Sequence, residues 1–148
     1  MNTNPITKTT NSKLLLIPRL LAGLPMLGFG MIHFVKPDHF RDILLASGIP
    51  MVNVSLYAAP VALVIGAVLL LLGLFARVGG LLGIATMAVA IYSTVILSSM
   101  AVADLPIGLT EVPTVPPLPL PVVVTVASLI VLVRGAGHWS LDLKNQSK

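Results

Sequence analysis

The chain of 148 residues contains no cysteine. That absence removes disulfides, thiol nucleophiles and cysteine-ligated metal or iron–sulfur centres from the chemistry open to it. Charge is nearly as scarce. Nine Lys and Arg with five Asp and Glu make up 9% of the sequence, against about a quarter in an ordinary soluble domain. So few charges cannot cover the surface of a water-soluble fold of this length. There is one Trp and no basic run, so no nucleic-acid partner is expected. No flavin, dinucleotide or haem motif is found, and any redox centre would have to come from a partner or from a bound ligand.

What is present is apolar. Hydrophobic residues make up 56% of the chain and the mean hydropathy is +1.01, so much of its solvent must be lipid. A helix needs roughly 20 apolar residues to cross a bilayer. Three runs qualify directly: Leu14–Val35, Val52–Phe75 and Val78–Ala101. A fourth, Val122–Val133, is too short alone and follows the proline-rich "PTVPPLPLP". Prolines are tolerated in the first turn of a helix, where no intrahelical N–H bond is lost. A helix from near Pro116 to Arg134 would have about 19 residues and a length of ~28 Å, with Pro121 one turn in. The alternative is an extended proline segment followed by a short helix. The first run is too long for a cleaved leader, contains Arg19 and lacks a small-residue cleavage site, so it reads as a retained anchor.

These runs predict an all-α integral membrane four-helix bundle. The organisation is a cytoplasmic N-terminal tail over 1–13, a transmembrane domain over 14–134 and a cytoplasmic C-terminal tail over 135–148. The orientation follows from the basic residues. Lys8, Lys13, Arg19, Arg77, Arg134, Lys144 and Lys148 fall on one side, and Lys36 and Arg41 on the other, which places both termini in the cytoplasm. The expected setting is a bacterial inner membrane. Between the first two spans, "DHFRDILLASG" puts Phe40, Ile43, Leu44 and Ser47 at helical spacing. It predicts a short interfacial helix, with Asp38 as N-cap and Gly48 as stop. Small residues in span two (Ala58, Ala62, Gly66, Gly73) and span three (Gly79, Gly83, Ala90) predict that these two faces pack on each other, because close backbone approach is what holds helices together in lipid.

Residues 31–42, "MIHFVKPDHFRD", concentrate two His, one Lys, one Arg and two Asp in an otherwise greasy chain. Lys36, Asp38, Arg41 and Asp42 are accounted for as the point where a helix leaves the membrane. His33 is still inside the span, and an ionisable residue there is a functional hypothesis. With Tyr57 and Tyr92 in the outer parts of spans two and three, and Glu111 in the outer loop, it supplies a His, a Tyr and a carboxylate. That set could bind a quinone carbonyl and move its proton. The reading with no ligand makes the tyrosines interfacial belt residues and has His33 cap a backbone carbonyl. His33 and His39 share no helical face and lack accompanying ligands, so no metal site is expected. On the other side, Arg19 or Arg77 is expected to form an ion pair with Asp142 that pins the C-terminal tail to the bundle.

The stretches "PRLLAGLPMLGFGMIHFVKPDHF", "IGAVLLLLGLFARVGGLLG" and "GAGHWSLD" together resemble the DoxX-like family of small four-helix membrane proteins. The more specific marks are Arg19, the His33–Phe34, Pro37 and Phe40 pattern, Arg77 and the closing Ser140–Asp142. The resemblance implies a four-helix bundle. It also implies a link to the quinone pool, since some relatives belong to thiosulfate:quinone oxidoreductases and others are associated with oxidative-stress complexes. Relatives often carry a Glu shortly before the small-residue pair of span two. Here "YAAPVALVIGA" puts Ala62 and Leu63 in that region. Two expectations follow. The chain is the membrane subunit of a quinone-linked oxidoreductase complex, or it is a non-catalytic accessory or assembly subunit of a larger membrane complex. Its expected partners are membrane lipid, other protein subunits and a lipid-soluble small molecule.

Overall fold

The computed structural model describes residues 7–146, among which every regular element is helical. The outermost parts of both expected tails, residues 1–6 and 147–148, lie outside the described residues, and Lys148 with them. A 3-10 turn at Lys13–Leu15 leads into α1 (Leu16–Val35). Then follow α2 (Pro37–Ala46), α3 (Val52–Leu72), α4 (Ala76–Ser99), a 3-10 turn at Val102–Asp104, α5 (Pro119–Arg134) and the short α6 (Leu141–Gln146). Three stretches, Lys13–Val35, Val52–Leu72 and Ala76–Ser99, are long and apolar enough to cross a membrane. Helix α5 has 16 residues, a length of ~24 Å. The four long helices close a ring in which α1 packs on α3, α3 on α4, α4 on α5 and α5 on α1.

Most of the large apolar side chains face outward. Val61, Ile65, Val68, Leu81, Val95, Val126 and Leu129 are exposed, while Ala22, Gly23, Gly66, Ala67, Gly79, Gly83, Ala127 and Ser128 are buried. A water-soluble bundle has the opposite arrangement. In lipid, nothing is gained by hiding a leucine, and the helices are held by dispersion contacts between closely approaching backbones. Two approaches are backbone to backbone: a Cβ on Gly79 of α4 would lie 2.9 Å from the carbonyl oxygen of Gly66 of α3, and one on Gly80 of α4 would lie 2.8 Å from that of Ser128 of α5.

The expected α3–α4 face is only partly formed. Gly66 and Gly79 cross as anticipated. Gly83 instead faces Ser128 of α5 and Met26 of α1, and Gly80 faces the α5 backbone. Helix α4 has α3 on one side and α5 on the other, and its glycines are spread over about 100° of helix circumference, too wide a face for one neighbour. Gly73 sits in the turn after α3, and Ala58 and Ala62 border an unfilled space.

Helix α2 buries Phe40, Ile43, Leu44 and Ser47, as its spacing predicts. It begins at Pro37, with Lys36 as N-cap and Asp38 in the first turn making no capping bond. The fixed φ of proline suits the first helical position and displaces the start from Asp38. Helix α5 begins at Pro119, not Pro116, and residues 112–117 are not helical. Val115 and Pro116 each precede a proline, which disfavours the helical region. Pro119 and Pro121 both fall in the first turn, where no intrahelical donor is lost.

Replacing Gly79 by Ala should lower thermal stability in detergent by about 1–3 kcal/mol, because the new methyl meets backbone that cannot give way. Gly28→Ala, where a Cβ meets nothing within 4 Å, is the control and should melt at or above the wild-type temperature.

Candidate functional site

Beyond the Gly66–Gly79 crossing, toward the end away from the termini, α3 and α4 are separated by small side chains. Ser55, Ala58, Ala59 and Ala62 of α3 face Ala85, Thr86, Val89, Ala90 and Ser93 of α4 across a cavity of about 330 Å³. That is the lower end of the roughly 300–1,000 Å³ typical of ligand pockets. Phe29 and His33 of α1 form one wall. Phe40, Ile43 and Leu44 of α2, with Ile49, Val115 and Pro116, close the end nearest water, and Pro121 contributes from α5.

Few polar groups face this space, and most are already engaged. Thr86 donates to the Leu82 carbonyl and Thr94 to that of Ala90, both at 2.8 Å, and Ser55 donates to that of Pro50 at 3.4 Å. Two remain. The His33 ring stacks on Phe40 with centroids 4.0 Å apart and lies 6.5 Å from Phe29, and no hydrogen bond reaches its nitrogens among the described residues. Ser93 is buried, and its hydroxyl has no hydrogen bond among them either. The cavity therefore offers two hydrogen-bonding side chains, from α1 and α4, in an apolar and aromatic setting.

Of the residues expected to gather around a ligand, only His33 does so. Tyr57 is 67% and Tyr92 50% exposed, and neither lines the cavity. Each precedes a cavity residue, Ala58 and Ser93, by one position. One position is a rotation of about 100°, which turns both phenols outward. Glu111 lies exposed in the segment before α5, also away from the cavity. The expected grouping of His, Tyr and carboxylate is therefore not assembled. The readable signal was the facing runs of alanine, which the packing argument had assigned to helix contact. Ala62 and Leu63, where relatives often carry a Glu, both line the cavity. His39 places Nε2 3.0 Å from the Thr114 carbonyl and ties α2 to the extended segment.

At the opposite end, Arg19 and Asp142 are 2% and 1% exposed. No direct ion pair forms between Asp142 and either Arg19 or Arg77; among the described residues both ends of the expected pair bind backbone. The Arg19 guanidinium donates to the carbonyls of Leu70 (2.8 Å) and Leu71 (2.8 Å), the last turn of α3, and to those of Ala136 (3.1 Å) and Trp139 (2.6 Å). The Asp142 carboxylate accepts from the N–H groups of Phe75 (2.8 Å) and Ala76 (3.0 Å), which open α4. A cation thus sits at a helix C-terminus and an anion at a helix N-terminus, where the helix dipoles favour them. Burial pushes the Asp142 carboxyl up from its ordinary pKa. The N–H groups of Ala76 and Phe75, and the charges of Arg19 and Arg77, act in the other direction. Gly73, at φ +63°, makes room for this arrangement, since a side chain there would strike Ser140 and the Arg19 guanidinium.

The termini are joined at the same end. Thr10 N–H donates to the Arg134 carbonyl and His138 N–H to that of Ser12. Arg77 donates to the carbonyls of Lys8 and Val133. Ser140 accepts from Leu143 N–H, capping α6. The closing Ser-Leu-Asp therefore has one residue capping its own helix and another capping α4.

A family profile described as DoxX matches residues 14–96. No curated protein and no solved structure gives a match. The matched stretch holds Arg19, His33 and the α1, α3 and α4 walls of the cavity; Asp142 lies beyond it.

Asp142→Ala leaves two buried N–H groups without an acceptor and should cost about 1–3 kcal/mol each, read as a lower melting temperature in detergent. Asp142→Glu should not restore the loss, since the longer side chain cannot place both oxygens at the α4 start.

Proposed function

The chain belongs to the DoxX family and is an integral membrane protein, and on that premise we propose that it holds a quinone-class compound in the α3–α4 cavity as the membrane subunit of a quinone-linked oxidoreductase complex. The observation that carries this reading is His33, the cavity's one ionisable side chain, with unoccupied ring nitrogens beside two aromatic rings. An imidazole N–H there would donate to a ring carbonyl oxygen, and Ser93 offers a second hydrogen bond from the facing helix. The apolar lining suits a ring soluble in lipid. Electrons would come from a partner subunit, because this sequence carries no motif for a redox centre of its own.

A second reading has an observation of its own. Ala62 and Leu63 leave the cavity without an acid, and Tyr57, Tyr92 and Glu111 face away from it. A site built this way holds a ligand or a neighbouring subunit without proton chemistry, as an accessory or assembly subunit would.

We also propose that the end carrying the termini faces the cytoplasm of a bacterial inner membrane. Lys8, Lys13, Arg77, Arg134 and Lys144 support this at that end, against Lys36 and Arg41 at the other.

Purified protein should retain quinone detectable by extraction and mass spectrometry. His33→Ala should weaken binding on the order of tenfold, the scale of one buried hydrogen bond. A stoichiometric partner whose activity ignores His33→Ala would favour the accessory reading. The cysteine-free background makes orientation direct to measure. In intact cells Thr110→Cys should react with an impermeant maleimide, and Ser12→Cys only after permeabilisation.

A further inference from the structure

We infer that the cavity is filled sideways from the membrane, through a gap between α3 and α4, by an amphiphile whose hydrogen-bonding ring enters while its apolar tail stays in lipid. This rests on the proposed reading of the cavity as a ligand site. It adds the route and the second chemical feature the ligand must carry.

The exposure of the lining residues identifies the route. Three of them are exposed, Ala58, Ala85 and Val89, and all three lie within α3 and α4. Ala58 is two turns or less into α3, and Ala85 and Val89 are in the middle of α4. Nearby outward positions on the two helices, Val61 and Leu81, are exposed and apolar. The opening thus lies in the part of the bundle that lipid solvates.

Three other directions are closed. Phe40, Ile43 and Leu44 are buried beneath α2, and the His39 contact with the Thr114 carbonyl holds α2 to the extended segment above. Toward the termini, Leu63 and Met87 are buried and the Gly66–Gly79 crossing brings backbone against backbone. On the α5 side Pro121 is buried.

Chemistry then restricts the occupant. No charged side chain borders the gap, so a hydrophilic solute would have to be dehydrated in lipid to use it. The interior rewards one or two hydrogen bonds, through His33 and Ser93, and its volume suits a ring head. A tail left in the bilayer loses no favourable solvent, since hydrocarbon surrounds it either way. Two alanines at the gap leave a path that a larger side chain would close.

The test compares two benzoquinones with the same ring, one bearing a decyl tail and one bearing none, by equilibrium binding to the full chain in lipid nanodiscs. Ala85→Phe should weaken the tailed compound by about tenfold or more, with about twofold or less change for the tail-less one. Val126→Phe, on the lipid face of α5, should change neither. Should Ala85→Phe fail to fold, Ala58→Cys gives a second route. The folded variant is reacted with a bulky apolar maleimide, which has no other cysteine to modify, and the same selective loss is expected. Undiminished binding of the tailed compound, or equal loss of both, would overturn lateral filling while leaving the cavity as a ligand site. If the unmodified protein bound neither benzoquinone, the ligand-site reading would fall, and this inference with it.

Discussion

The short reversal between α3 and α4 is the constraint from which the rest of the bundle follows. It ends one membrane helix and starts another within the residues between Leu72 and Ala76, leaving carbonyls on one side and N–H groups on the other without intrahelical partners. Such groups are costly wherever water is scarce. Arg19 takes two of the carbonyls and Asp142 takes two of the N–H groups. Arg19 comes from α1 and Asp142 from α6, so satisfying one turn fixes two distant parts of the chain against it. The same Arg19 also binds the Ala136 and Trp139 carbonyls, which brings the end of α5 into the cluster.

Fixing that end sets how α3 and α4 cross. With the turn clasped, Gly66 meets Gly79 close above it, backbone against backbone. Farther from the turn the facing residues are mostly alanines, serines and threonines, whose short side chains leave the cavity between the helices. Small residues therefore have two consequences in one helix pair. Where glycine meets glycine they give contact, and where alanine meets alanine at a wider separation they give a cavity. The site's shape follows from packing, and its chemistry from the two polar side chains that happen to face it.

Much of this architecture was legible in the sequence, because length and hydropathy decide membrane spans almost alone. The three long helices, the interfacial α2 with its buried Phe40, Ile43 and Leu44, and the common side of both termini all follow from apolar run lengths and turn residues. The site was less legible. Tyr57 and Tyr92 each lie one position from a cavity residue, but position along a helix does not fix rotation, and helices apolar all the way round carry no stripe from which rotation could be read. Arg19 or Arg77 was expected to pair with Asp142, and Arg19 and Asp142 instead bind backbone around the α3–α4 turn. Pairing them directly overlooked that a turn in a water-poor place presents backbone partners, which a guanidinium with several donors and a carboxylate with two oxygens satisfy better than each other. The start of α5 turned on consecutive prolines, whose effects on the preceding residue and on the first turn oppose each other.

The two ends of the molecule thus differ in how their ionisable groups are used. At the termini, Arg19 and Asp142 are buried and engaged with backbone. At the other end, His33 is held by aromatic stacking, which fixes the ring while leaving both nitrogens without a hydrogen bond among the described residues. Stacking is how a site can be rigid and still available, since a hydrogen bond that oriented the ring would also consume one of its nitrogens. One histidine and one serine can hold and orient a carbonyl compound. They supply neither electrons nor an acid in reserve, so the proposed oxidoreductase role would draw its electrons from a second protein.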